Sequence, residues 1–251
     1  MTMVAVLADP PRPGLVLPEL AASTPLSEDE CADLYAAMLK DVLRAVENSG
    51  GDLLVNYRAD EDLPEEHQSI QAVESELRDL AEDCLDAPED ARFEVQVGQT
   101  FSGRVGNTLT HLLDREEVKT AAAVEPTAMF LTRKEIDNAA MKLRRHPVIL
   151  GPSTDGRVYY AGFDDPINFE GAYTSPAVET LTDRGLDAGF EVDFLPNLPV
   201  VETVSDLVTA ITLINARQAA GRIYPRHSAA VIEALGLRVE KSADGLALMR
   251  D

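Results

Sequence analysis

Apolar and polar positions alternate along this chain in blocks that predict a regular succession of strands and helices. Met3 to Ala8 is a short apolar run of the kind that forms a buried strand. It ends in Asp9-Pro10-Pro11-Arg12-Pro13-Gly14, a stiff loop that neither a helix nor a central strand accommodates. Ser27-Glu28-Asp29-Glu30 has the form of a capping box. The helix it opens carries Cys31, Leu34, Tyr35, Met38, Val42 and Val46 on one face, and Ser49-Gly50-Gly51 stops it. Leu53 to Tyr57 predicts a second strand, residues 58–66 an acidic loop, and Ile70, Val73, Leu77, Leu80 and Cys84 a second amphipathic helix.

The alternation continues. Ala91 to Val97 predicts the third strand, followed by a Gly-containing loop at 98–103 and a helix to about Leu113. Thr120 to Val124 is a fourth strand, and Thr132 to Glu135 is another capping box, with Ile136, Ala139, Ala140 and Leu143 inward. Val148 to Leu150 runs into Gly151-Pro152-Ser153-Thr154-Asp155-Gly156, a tight loop presenting one carboxylate, and Val158 to Phe163 returns from it. A helix at 175–184, with Ser175 at its start, a strand at 191–195 and a last long helix striped by Val204, Leu207, Val208, Ile211 and Ile214 complete the pattern. Alternating strands and helices predict a mostly parallel sheet covered on both faces. Beyond residue 220 the pattern changes to a short helix and a hairpin turning at Asp244-Gly245, so the division expected is 1–220 and 221–251.

Charge narrows the function. Asp and Glu number 44 against 22 Lys and Arg, a formal net charge of -22. Such a surface repels nucleic acid and anionic lipid, and nucleic acid is not an expected partner. The carboxylates form no block and no calcium loop; with 17 Arg and five Lys, the composition fits a halophile's protein, hydrated by its acidic surface. No run approaches the ~20 apolar residues of a membrane span, and the start lacks a signal peptide, so a cytoplasmic protein is expected. Cys31 and Cys84 fall on predicted apolar stripes and are expected to be buried free thiols.

The segment Val148 to Phe163, with its Gly-Pro-Ser-x-Asp-Gly turn, resembles the signature segment of a family of glycosyltransferase-like proteins. The family has the GT-A, nucleotide-diphospho-sugar transferase fold and is described as associated with radical-SAM and selenoprotein gene neighbourhoods. This chain would be a haloarchaeal-type member, with the resemblance extending over about residues 1–220. It implies a GT-A-like α/β fold and a nucleotide sugar as partner, for glycosyl or nucleotidyl transfer. The alternative is a degenerate relative that keeps the fold as a binding or interaction module.

The family's first loop reads Lys-x-Pro-x-Pro-Gly-x-x-Lys-Thr-Arg-Leu. Here Asp9, Leu17 and Glu19 stand at the three basic positions, so the loop is either a weak phosphate site with Arg12 beside Gly14 or a rigid Pro-rich connection with no ligand. Gln96, Gly98 and Arg104 match a Gln-x-Gly-x-Asp-Leu-Gly-Glu-Arg segment. Gly98 suits a turn at a strand end. Arg104, in the first turn of a helix, opposes the helix dipole and calls for an anion, either a ligand or a structural carboxylate. Thr127 occupies the position of the family's metal-holding Asp, so a Mg²⁺ or Mn²⁺ site is expected to be weak, with Glu125 and Glu202 its remaining carboxylates. Thr203 reads equally as a helix N-cap. Asp155 is either a base or sugar contact or simply the turn residue of a β-connection. Gly151, Ser153 and Tyr173 complete the implied substrate positions.

Overall fold

The computed structural model describes residues 2–242 and 245–250. Its centre is a seven-stranded sheet built from β1 (Thr2–Ala8), β2 (Asp52–Tyr57), β3 (Arg92–Val95), β4 (Thr120–Val124), β5 (Val148–Pro152), β6 (Val158–Phe163) and β7 (Val192–Phe194). The order across the sheet is β3-β2-β1-β4-β6-β5-β7. All neighbours are parallel except β6, which runs antiparallel to both β4 and β5. This confirms the expected mostly parallel α/β sheet.

β1 is buried along its whole length, as a central parallel strand with helices on both faces must be. Its alternate side chains feed two cores. Val4, Val6 and Ala8 join the larger cluster with α2 (Glu28–Glu47), α3 (Val73–Cys84), α5 (Arg133–Lys142) and α7 (Val204–Ala219). Met3, Ala5 and Leu7 join the smaller one with α4 (Phe101–Thr110) and α6 (Ala177–Asp187). The remaining helices are α1 (Pro18–Ser23) and α8 (Arg226–Ala234).

The helix starts follow local chemistry. Ser27, Thr132 and Thr203 each close a capping box, with Glu30, Glu135 and Asp206 respectively. Such a cap contributes about 1 kcal/mol. Two helix expectations are corrected. Ile70 is fully exposed, because α3 begins only at Val73. Ser175 does not cap α6; Pro176 holds that position and no side chain accepts there. β3 is also shorter than expected, ending at Val95. Cys31 and Cys84 are buried free thiols, and burial pushes them up to about 11 and about 12.

In the described part of the 221–251 segment, α8 lies against α2, and β8 (Leu237–Ser242) pairs antiparallel with β9 (Gly245–Arg250). Ala229, Ile232 and Leu237 belong to the larger core cluster, so this segment shares the main core. Asp244, expected in the hairpin turn, lies outside the described residues.

Strand direction positions the site. The loops after β1, β3, β4 and β5 all leave the carboxyl end of the sheet. The chain goes from β1 outward to β2 and β3, then returns to the other side of β1 as β4. A crevice between β1 and β4 is thereby created where the strand order reverses.

Candidate functional site

A cleft of about 310 Å³ occupies that crevice. Its walls come from the end of β1 and its loop, from the segment after β4, and from Phe101 and Glu202. Leu17 lines it in a left-handed conformation (φ 50°), costly for a branched side chain and against the extended preference that Pro18 imposes on it, and its burial holds it there. Four carboxylates border the cleft: Asp9, Glu19, Glu125 and Glu202.

Glu125 follows the last residue of β4, and its N–H donates to the Tyr159 carbonyl (3.1 Å). Burial, then the charges of Glu202 and Asp9, push its carboxyl up to about 8 against the opposing pull of Arg157. A carboxyl titrating there can hold or release a proton near neutrality. Thr127, two residues on, is 6% exposed, and its Oγ1 has no hydrogen-bond partner. An orphaned buried hydroxyl lining a cleft is unusual, since such groups are nearly always satisfied.

The cations around the cleft are mostly engaged. Arg58 grips Asp9 through both carboxylate oxygens (2.6 and 2.8 Å). Arg157 binds Glu202 (3.0 Å) and both oxygens of Asp206 (2.8 and 2.9 Å). Asp206 is buried and closes the Thr203 capping box, so the start of α7 is tied to the β5–β6 turn. Burial pushes the Asp206 carboxyl up, but Arg157 and Thr203 together hold it below the usual range. Arg104 donates through Nε to Gln96 Oε1 (2.7 Å), and no acceptor among the described residues meets its terminal nitrogens. Burial, then the neighbouring Arg58 charge, lowers its pKa, with Asp9 and Asp62 opposing.

Sequence reasoning missed Arg58, Arg157 and Asp206. Arg157 had a signal, standing one residue beyond Asp155-Gly156, and so did Asp206, at the third position after Thr203. Arg58 had none beyond following a strand end.

The residues singled out in the sequence separate into different settings. Arg12 lies outside the cleft lining, and all five of its N–H donors are taken. Its acceptors are Glu76 (2.6 and 3.2 Å), Asp60 (2.9 Å) and the carbonyls of His67 (2.6 Å) and Gln71 (3.1 Å). A phosphate would find no free donor on it. Gly14 makes its turn at φ +75°. Gln96 is buried and also donates to the Asn56 carbonyl (2.8 Å), joining β2 to α4. Gly98 has φ +138°, and a Cβ there would lie 3.0 Å from the Arg104 nitrogen, so this strand end admits only glycine comfortably.

Gly151 accommodates the Tyr159 ring, which a Cβ would meet at 2.5 Å. Ser153 Oγ accepts from the Val200 N–H (3.1 Å). Asp155 has φ 57°, is 79% exposed at its side chain, and stands 3.6 Å from Arg157. Its turn geometry alone accounts for Asp followed by Gly. Tyr173 packs edge-on against Phe101 (centroids 5.0 Å apart). Burial and then the charge of Glu125 raise its hydroxyl pKa, which places it near the cleft.

A divalent cation bridging phosphates needs hard oxygen ligands. Among the described residues, no three carboxylate, histidine or cysteine side chains gather for one. Glu125 tends to keep its proton, Glu202 is drawn to Arg157, and Thr127 offers a neutral hydroxyl. These residues do not fit a preassembled metal centre.

No protein-family model and no curated protein matches this chain. Solved structures do. A proposed nucleotide-diphospho-sugar transferase from Desulfovibrio desulfuricans G20 superposes with a TM-score of 0.71 at 18% identity, over 93% of this chain and 95% of that one. A cytidylyltransferase from Leptospira borgpetersenii gives a TM-score of 0.50 at 8% identity, over 93% of this chain and 94% of that one. At such identities the likeness is one of fold, and the chain has the mixed α/β fold of nucleotide-diphospho-sugar transferase-like proteins.

Proposed function

We propose that this protein takes a nucleotide-activated substrate, a nucleotide sugar by preference, into the β1–β4 cleft and performs glycosyl or nucleotidyl transfer. The observation that carries this reading is the cleft itself, at the strand-order reversal of a sheet whose structural relatives include a cytidylyltransferase. In glycosyl transfer an acceptor oxygen attacks the anomeric carbon and the nucleoside diphosphate leaves. In nucleotidyl transfer it attacks the α-phosphorus of a nucleoside triphosphate and pyrophosphate leaves. Where the acceptor is a hydroxyl, its proton goes to a base. Glu125 sits where it can exchange that proton. Arg104, with its terminal nitrogens free of described acceptors, serves the phosphate, and Tyr173 flanks the substrate. Asp155 contacts the sugar in this reading; it lies outside the cleft lining and stands 3.6 Å from Arg157, which also binds the cleft residue Glu202. The haloarchaeal-type assignment belongs to the same reading.

A second reading is a degenerate relative that keeps the fold as a binding or interaction module without transferring. It is favoured by the engagement of Arg58 with Asp9 and of Arg157 with Glu202 and Asp206, which leaves neither guanidinium free for a phosphate.

Calorimetric titration with nucleoside diphosphates and nucleotide sugars, with and without Mn²⁺ in high salt, tests for the nucleotide site, and release of nucleoside diphosphate from a bound nucleotide sugar separates transfer from binding alone. We expect the wild type to bind a nucleotide sugar weakly, with little dependence on Mn²⁺. Thr127→Asp replaces the orphaned hydroxyl with a carboxylate and is expected to raise Mn²⁺-dependent affinity by on the order of ten- to hundredfold. No binding by the wild type to any member of the panel would overturn the first reading and leave a degenerate module that interacts with something other than a nucleotide.

A further inference from the structure

Further along the segment that carries Thr127 lies a second cavity, of about 300 Å³, with a different character. Met129, Phe130 and Leu131 form one wall; α2, the end of α7 and the start of α8 form the others. Arg44, Arg133, Arg217 and Arg226 all line it. The chain has only 17 arginines and a net charge of -22, so four in one cavity of this size run against its composition.

Their state of pairing matters more than their number. Arg44 is shared between Glu47 (3.1 Å) and Asp86 (2.8 Å), and Arg133 has a loose contact with Asp137 (3.6 Å). Among the described residues Arg217 has no carboxylate partner; its guanidinium lies 4.8 Å over the Phe130 ring, and it reaches the Ile223 carbonyl at 3.4 Å. Arg226, exposed at the first position of α8, has no carboxylate partner among the described residues. The single acid in the wall, Asp41, is occupied: it accepts from the N–H groups of His227 (3.1 Å) and Ser228 (2.8 Å) and from the Ser228 hydroxyl (2.7 Å). It therefore caps α8 and is not positioned to neutralise Arg217 or Arg226.

We propose that this cavity binds a small organic anion, one phosphate or carboxylate head on an apolar body. Guanidinium groups match the paired oxygens of either head, and stacking on Phe130 holds the fork of Arg217 in a fixed plane. Phe130, Met129 and Tyr224 supply an apolar wall for the body. The volume is that of the smaller ligand pockets. The assignment is independent of what the β1–β4 cleft does.

The test is calorimetric titration of the full chain with phenyl phosphate, benzoate and inorganic phosphate, at the lowest salt at which circular dichroism shows an intact fold. We expect saturable one-to-one binding of phenyl phosphate or benzoate, the tighter of the two identifying the head. Arg217→Gln and Arg226→Gln should each weaken it roughly tenfold, the effect of one charge-assisted contact. Arg217→Lys, which keeps the charge and loses the fork, should fall between. Arg226 is exposed, so its variant retains the fold even where Arg217→Gln does not. Arg104→Gln, in the other site, should leave this binding unchanged. Failure of both aromatic anions to bind overturns the proposal, as does binding that Arg104→Gln abolishes and Arg226→Gln spares. Inorganic phosphate binding as tightly as phenyl phosphate overturns the apolar body.

Discussion

The β1–β4 cleft and the arginine-lined cavity are nearly equal in volume and share one segment as a wall, yet they carry opposite charge. In a chain with 44 acidic and 22 basic residues, carboxylates line any surface by default, and four of them in a cleft say little about a ligand. Four arginines in one cavity say much more. Partnering sharpens the contrast. In the cleft, Asp9 and Glu202 are balanced by Arg58 and Arg157, so Glu125 is the group whose chemistry is displaced. In the cavity, Arg44 is balanced, so Arg217 and Arg226 are the ones available. The informative residue in each place is the one its neighbours fail to neutralise.

The largest expected effect tests whether the acidity is general. At about 0.1 M salt the Debye length is near 10 Å, and at 1 M near 3 Å, so self-repulsion of a -22 surface is quenched only in concentrated salt. Circular dichroism should show the fold melting at progressively lower temperature as salt falls from molar to tens of millimolar. A melting temperature independent of salt would break the comparison. The cleft carboxylates could then no longer be discounted as general acidity.

A second test separates arginines that hold the protein together from those free to hold a ligand. Arg12 is buried between Asp60 and Glu76, and Arg12→Ala leaves both carboxylates without their cation. Breaking a buried pair in this way costs about 3–5 kcal/mol. Arg226→Gln, at an exposed position without a carboxylate partner among the described residues, should stay within about 0.5 kcal/mol of wild type. Urea unfolding of the two variants in the same salt measures both. A small loss for Arg12→Ala would free Arg12 for the phosphate role that its position in the first loop implies.

How far the sequence reaches follows from the range of the interactions. The strands and helices were legible because their signals are local: the buried run of β1, and the capping boxes at Ser27, Thr132 and Thr203. The resemblance at Gly151 to Phe163 led to the right fold. Local signals also misled: Ile70 has the spacing of the α3 stripe but lies outside the helix, where nothing covers it. What the sequence hid was long-range partnering. Arg12 reaches 64 residues to Glu76, and Arg157 reaches 49 to Asp206. The arginine-lined cavity draws on four separate stretches of chain, and no spacing rule brings Arg44, Arg133 and Arg217 together. The charge state of Glu125 was hidden for the same reason, since it depends on Glu202 and Asp9.

That charge state yields the smallest expected effect. The folded-state pKa of Glu125 is about 8, against an ordinary value of 4.5. Below 4.5 both the folded and unfolded states hold the proton, and the residue contributes no pH dependence. Between 4.5 and 8 the folded state keeps a proton that the unfolded state has released, so stability falls as pH rises. Above about 8 both states are ionised, and the folded protein carries the whole cost of a charge placed beside Glu202 and Asp9. Glu125→Gln removes that titration. Each pKa unit corresponds to about 1.4 kcal/mol, and solvent reaching a half-buried group reduces the total, so a gain on the order of 1–3 kcal/mol at pH 9 is expected. At pH 5 the variant and wild type should be nearly equal. Thermal melts of both proteins from pH 5 to 9 in constant high salt measure the difference. Curves that stay parallel would mean that Arg157 or solvent already compensates Glu125. The cleft would then contain four ordinary carboxylates and no proton-exchanging group, and the degenerate binding module would become the better reading of the β1–β4 site.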